Sequence, residues 1–204
     1  LFPSGNTVFF RAMPALIPYL VPVASVLHSG FGDASGLVEV VGLTLGGLAL
    51  QDGQPPLPAG AEPLESRRVF RTLLGERHNR IVTTLAKERR AVAARWGVRN
   101  LPSTDEWLDR FAGTMAGTMA RPVPQPNQAD DLIRCATMGS LVPLQSAAQL
   151  AELPVPATSA MIELAHQSIG GDLLHAGRRL DNMGFVNTDL DGIRTQLDAM
   201  TVAT

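Results

Sequence analysis

With 17 basic against 19 acidic side chains in 204 residues and a net charge of −2, the chain has no electrostatic surplus for nucleic acid or an anionic lipid surface. Its single cysteine, Cys135, excludes an internal disulfide framework and fits a reducing compartment, so a cytoplasmic location is expected. The length suits one large domain or two small ones and allows a sizeable core.

Alternation of period two is scarce, aromatics make up 5%, and Ala, Leu, Arg, Glu and Met are frequent. The expectation is an all-α fold, a bundle of about seven or eight helices with almost no sheet. Residues 7–30 read as one helix interrupted by Pro14, Pro18 and Pro22, each removing a backbone donor on the same face. The apolar run Met13 to Leu27 is short and holds those prolines, which argues against a membrane span. Residues 36–50 read as a buried helix of small and apolar residues, where Gly42, Gly46 and Gly47 allow close helix approach. Gln51 to Pro63 is rich in Pro and Gly and reads as a loop.

Leu64 to Trp96 reads as the longest helix. Phe70, Leu74, Ile81, Leu85, Val92 and Trp96 form one stripe at helical period, stopping at Gly97, a suitable left-handed cap. The basic clusters Arg67-Arg68 and Lys87 to Arg90 lie among acidic neighbours and read as a solvated helix face. Ser103 with Glu106 has capping-box spacing and opens a helix over 104–118. Pro122, Pro124 and Pro126 mark a connection, and Asp130 to Met138 reads as a loop or short helix. Helices are then expected at about 143–152, 156–169 and 171–182, with Asp189 capping a last one at about 190–200.

The phosphate-cradling Gly-x-Gly-x-x-Gly turn, the Walker loop, the nucleophile elbow and His-Glu-x-x-His are all missing from the chain. The one cysteine and scattered histidines make no metal site. His28, His78, His166 and His175 are candidates for proton transfer, although a lone His more often has a structural or solvated role.

The tract from Gly139 to Phe185 carries a more specific signal. Pro143, Pro154 with Pro156, and Gly170-Gly171 divide it into three short helices, and it ends in Gly177-Arg178-Arg179-Leu180 and Gly184. The order Leu-Val-Pro-Leu, Pro-x-Pro, Gly-Arg-x-Leu-x-x-x-Gly resembles the C-terminal end of the helical domain of octopine/nopaline (opine) dehydrogenases. Glu88-Arg89-Arg90-Ala91-Val92-Ala93 with Gly97, then Pro102-Ser103 and Glu106-Trp107-Leu108, resemble that family's long helix and the helix after it. The resemblance covers most of residues 60–185 and, more loosely, 1–30. It implies that residues 1–204 are the helical substrate domain of a two-domain dehydrogenase whose Rossmann domain, holding NAD or NADP, preceded Leu1. It further implies reduction of an imine formed from a 2-oxo acid and an amino acid. Isolated, the chain is expected to be inactive.

In that family an Asn-Pro-x-x-His motif carries the catalytic acid/base. Here His28 matches the His, while Ala24 and Ser25 occupy the Asn and Pro places. Such a His suits the chemistry, because hydride addition builds negative charge that a group titrating near neutrality can protonate. The family's acid partner and carboxylate-binding Arg precede the Leu-Val-Pro-Leu helix. Counting back without gaps puts Ala136 at the acid and Asp131 at the Arg. A shifted loop would let Asp131 orient His28 and Arg134 bind the substrate carboxylate. This departure leaves room for a related enzyme reducing hydroxy-acid or keto-acid substrates. A reading of another class is a non-catalytic helical interaction or dimerisation module, using the Leu37 to Leu50 helix or the face of Met115 and Met119. The partners expected are small-molecule substrates, with a homodimer open.

Overall fold

The computed structural model describes residues 25–46, 74–103, 126–185 and 189–202. Among them every regular element is helical, so the fold is all-α. The expectations for 7–24, 47–73 and 104–125, with Met115 and Met119, lie outside the described residues. No helix among the described residues is long and apolar enough to cross a membrane.

The elements are α1 Val26–Gly32, α2 Ser35–Thr44, α3 Glu76–Arg95, α4 Pro126–Ala136, a π turn Thr137–Leu141, α5 Val142–Leu150, α6 Pro156–Ile169, α7 Leu173–Ala176 and α8 Leu190–Val202. Helix α2 lies at the centre, packed against α3, α4, the π turn and α6. Its composition dictates this: Leu37, Val38, Val40, Val41 and Leu43 are all buried, so it is apolar nearly all round and needs neighbours on every side. Over Ser35–Thr44 the helix is therefore core. It stops at Thr44 rather than at 50, with Gly46 already beyond its end. A close approach is made at Gly36, where a Cβ would collide with Ser140; Gly47 lies outside the described residues.

The long helix begins at Glu76, not at Leu64, because Gly75 interrupts the pattern and acts as N-cap. The Gly75 N–H donates to His78 Nδ1 at 3.1 Å, so the ring proton sits on Nε2, which reaches the Leu45 carbonyl at 3.3 Å. His78 thus ties the start of α3 to the end of α2. Gly97 adopts φ 84° as its capping role requires, and Val98 N–H closes on the Ala93 carbonyl at 2.8 Å.

The segment read as a loop or short helix is instead the continuous run α4, π turn, α5. Ala129, Ile133 and Ala136 are buried at helical spacing and dock on α2, which is reason enough for helix. Pro143 does not interrupt this run. In the π turn the Val142 N–H bonds the Thr137 carbonyl, so the wider winding closes just before the residue that has no N–H to give.

Helix α6 matches its expected 156–169 bounds and ends at Gly170 with φ 69°. No side chain of its own N-cap satisfies its first donors. Glu88 of α3 does so from outside: its carboxylate accepts from Ala157 N–H and Thr158 N–H, both at 2.8 Å, and from Thr158 Oγ1 at 2.7 Å. The helix expected over 171–182 is only Leu173–Ala176. Gly177 lies against Val142, and tertiary partners take the donors beyond it: Arg178 N–H bonds the Met138 carbonyl and Leu180 N–H bonds Ser146 Oγ, both at 3.0 Å. Helix α8 starts as expected at Asp189, whose Oδ1 accepts from Gly192 N–H at 2.8 Å.

Two apolar clusters result. The first surrounds α2; the second joins Val92 and Trp96 to Leu144, Ala147, Ala148, Ala151, Val155 and Ile193, with Leu27, Phe31 and Phe185 packed on its edge.

Candidate functional site

A cavity of about 500 Å³ opens at the edge of the second cluster, between α1, the end of α3, the π turn and start of α5, the 180–185 loop and α8. Its walls are largely apolar, with Leu27 and Phe31 on one side, Trp96 and Leu144 on another and Phe185 on a third. Trp96 is anchored by an Nε1–H bond to the Ala147 carbonyl at 3.1 Å, and its ring meets Phe31 at a centroid distance of 6.5 Å. The aromatic wall therefore has a fixed orientation on the Trp96 side.

Among the described lining residues the charged ones are Arg89 and Asp33. Arg89 is only 3% exposed. Its Nη1 lies 3.5 Å from the Gly32 carbonyl, a long contact, while Nε and Nη2 have no hydrogen-bond partner among the described residues. Burial pushes its pKa down to about 10; the Asp33 carboxylate opposes this and neighbouring Arg90 adds to it. The guanidinium still carries its charge at neutral pH. Asp33 is exposed, and its Oδ1 accepts from Ser35 N–H at 2.8 Å at the start of α2.

Arg89 corrects the expectation of a solvated Lys87 to Arg90 face. Lys87 is exposed and Arg90 half-buried, but Arg89 falls on the buried stripe of α3 with Leu85 and Val92. The signal was present in the sequence: Arg89 follows Leu85 by four residues and precedes Val92 by three and Trp96 by seven, all same-face spacings. Glu88, one residue earlier, faces α6 instead.

His28 lies in the first turn of α1, not at the end of a longer helix. Ser25 caps that helix by accepting from the His28 N–H at 3.1 Å, so the residue that departs from the family motif starts the helix. The His28 ring is half-buried and does not line the cavity, although Leu27 and Ser29 beside it do. Asp131 is exposed on α4. Arg134 is half-buried and approaches the Gly170-Gly171 turn, where a Cβ on Gly171 would stand 3.0 Å from its Nη1. No hydrogen bond or ion pair joins His28, Asp131 and Arg134 to one another, and neither Asp131 nor Arg134 lines the cavity. Ala136, at the place the family gives to an acid, is buried in the first core.

Of the other histidines, His166 lies in the last turn of α6, where its carbonyl accepts from Gly170 N–H at 2.8 Å. His175 is exposed, and its Nδ1 lies 2.7 Å from Asp172 Oδ2. Hydrogen bonds from His175, first from its backbone N–H and then from its ring, hold the Asp172 carboxyl below its usual range. Among the described residues no three His, Cys, Asp or Glu side chains gather as a metal site would require.

The helical fold and the Arg89 cavity define the chain at this level. No family model matches the sequence, and no curated protein matches it either.

Proposed function

We propose that this chain is the helical substrate-side domain of an NAD(P)H-dependent dehydrogenase of the opine type, reducing an imine of a 2-oxo acid and an amino acid. The observation that carries this reading is the apolar cavity beside α1, the helix bearing His28, with a buried and under-partnered guanidinium on its wall. A small carboxylic substrate needs such surroundings: apolar walls for its body and one fixed cation for its carboxylate. The ordered sequence resemblance supports the reaction type. No glycine-rich strand-to-helix turn occurs among the described residues, so the dinucleotide would be held by a separate nucleotide-binding domain. When bound, it supplies the hydride.

In this reading the cavity positions the substrate body, and His28, on α1 beside the cavity but outside its lining, delivers the proton to the heteroatom where the substrate projects past Leu27 and Ser29. His28→Ala, in the chain joined to its nucleotide domain, is expected to lower turnover by about 10²–10⁴-fold with KM changed far less. Unchanged turnover would reject the role. The departures from the family's motif at Ala24, Ser25 and Ala136 favour a second reading, a hydroxy-acid or keto-acid dehydrogenase. Oxidation of reduced cofactor by a keto acid alone, without an amino donor, would select it.

A further inference from the structure

We infer that Arg89 is the receptor for the carboxylate of a small acid with an apolar body, bound in the cavity between α1, α5 and the 180–185 loop. Three observations converge on this. Arg89 is 3% exposed as a residue, yet its buried Nε and Nη2 have no partner among the described residues. These two nitrogens are one of the pairs from which arginine makes parallel bonds to both oxygens of a carboxylate, and because both are closed to water in the unliganded fold, the guanidinium turns toward the cavity when the acid binds. Arg89 also lines a cavity of about 500 Å³, within the range of small-molecule sites. The other walls bring Phe31, Trp96, Leu144 and Phe185 into the same space, which suits a branched aliphatic or aromatic body and not a second charge. Among the described lining residues Asp33 carries the opposing charge; it is exposed and already engaged with the α2 N-terminus, so it does not fill the guanidinium's bonding capacity.

This deepens the dehydrogenase reading, because it moves the substrate carboxylate from Arg134 to Arg89. It nevertheless rests on the cavity alone, so a binding measurement on this chain succeeds or fails separately from the turnover test on His28. The experiment is titration of the full chain with isocaproate, isocaproamide and sulfate, followed by calorimetry and saturation-transfer NMR. Isocaproate is expected to saturate the site, and the uncharged amide of the same shape to bind at least about tenfold more weakly. Arg89→Met should abolish that preference, and Arg89→Lys, which keeps the charge and loses the planar fork, should weaken the acid by about tenfold. The acid–amide comparison on the unmodified chain tests the site even if a variant does not fold. Equal binding of acid and amide, sulfate binding as tightly as isocaproate, a preference that survives in a folded Arg89→Met variant, or no saturable binding of the acid up to about 20 mM (weaker than about −2.3 kcal/mol) would each overturn the inference.

Discussion

Replacing Arg89 with Met is expected to make the unliganded chain more stable, a prediction opposite to the usual effect of a core substitution. The fold holds the guanidinium at 3% exposure with two nitrogens unpartnered. Burial pushes its pKa down to about 10, which at about 1.36 kcal/mol for each tenfold change is a bias of about 3 kcal/mol against the charged form. Met keeps most of the side-chain length and the contacts with the apolar walls. It loses only the 3.5 Å contact to the Gly32 carbonyl and the attraction of Asp33. A net gain of about 1–3 kcal/mol follows, by analogy with buried charges replaced by apolar residues. That is a rise in Tm of about 2–10 °C for a chain of this size. The pH dependence has a definite sign. Below about pH 10 folded and unfolded chains both carry the proton, so the penalty is complete. Above about pH 10 the unfolded chain holds more protons, so wild-type stability rises relative to the Met variant and the gap closes. Urea unfolding followed by far-UV circular dichroism at pH 7, and again near pH 11, measures both effects. A Met variant that is less stable than wild type by about 1 kcal/mol or more at pH 7 would refute the reasoning, since it would mean that Arg89 is paired in the fold.

Glu88→Ala removes three hydrogen bonds at once and leaves the Ala157 and Thr158 donors without the acceptor that caps α6. A loss of about 2–4 kcal/mol is expected, read as an urea midpoint shift at constant slope. Gly177→Ala would place a Cβ 2.6 Å from Val142 Cγ1 and 2.9 Å from the Leu173 carbonyl. It should cost about 1–3 kcal/mol, and adding Val142→Ala should recover part of this in a double-mutant cycle. Additive costs would show that the Gly177 contact is not the cause.

Gly97, Pro156 and Asp189 were each legible as punctuation or as residues fit to cap, because caps act through the backbone within one turn and need no distant partner; Ser25, read inside a longer helix, was not. The apolar run that becomes α2 was legible for the same kind of reason: a helix with no polar face must be surrounded. Composition and period thus determined that the chain is helical, where several helices end and which one is central. Tertiary contacts decided the rest. Gly177 shortens α7 because Val142 occupies the space a side chain would need, and Met138 and Ser146 take the donors that a longer helix would have used. Pro143 is absorbed because a π turn precedes it and α4 is held on the central helix. Glu88 and Arg89 are adjacent in an ordinary charged helix sequence, and only the packing separates their work. One is turned to the open N-terminus of α6, where its charge is fully bonded; the other is turned to a cavity, where its charge is not. Sequence periodicity could place Arg89 on the buried stripe, but an unpartnered donor is a property of what lies opposite it, and that is settled only when α1, α5 and the 180–185 loop close around it.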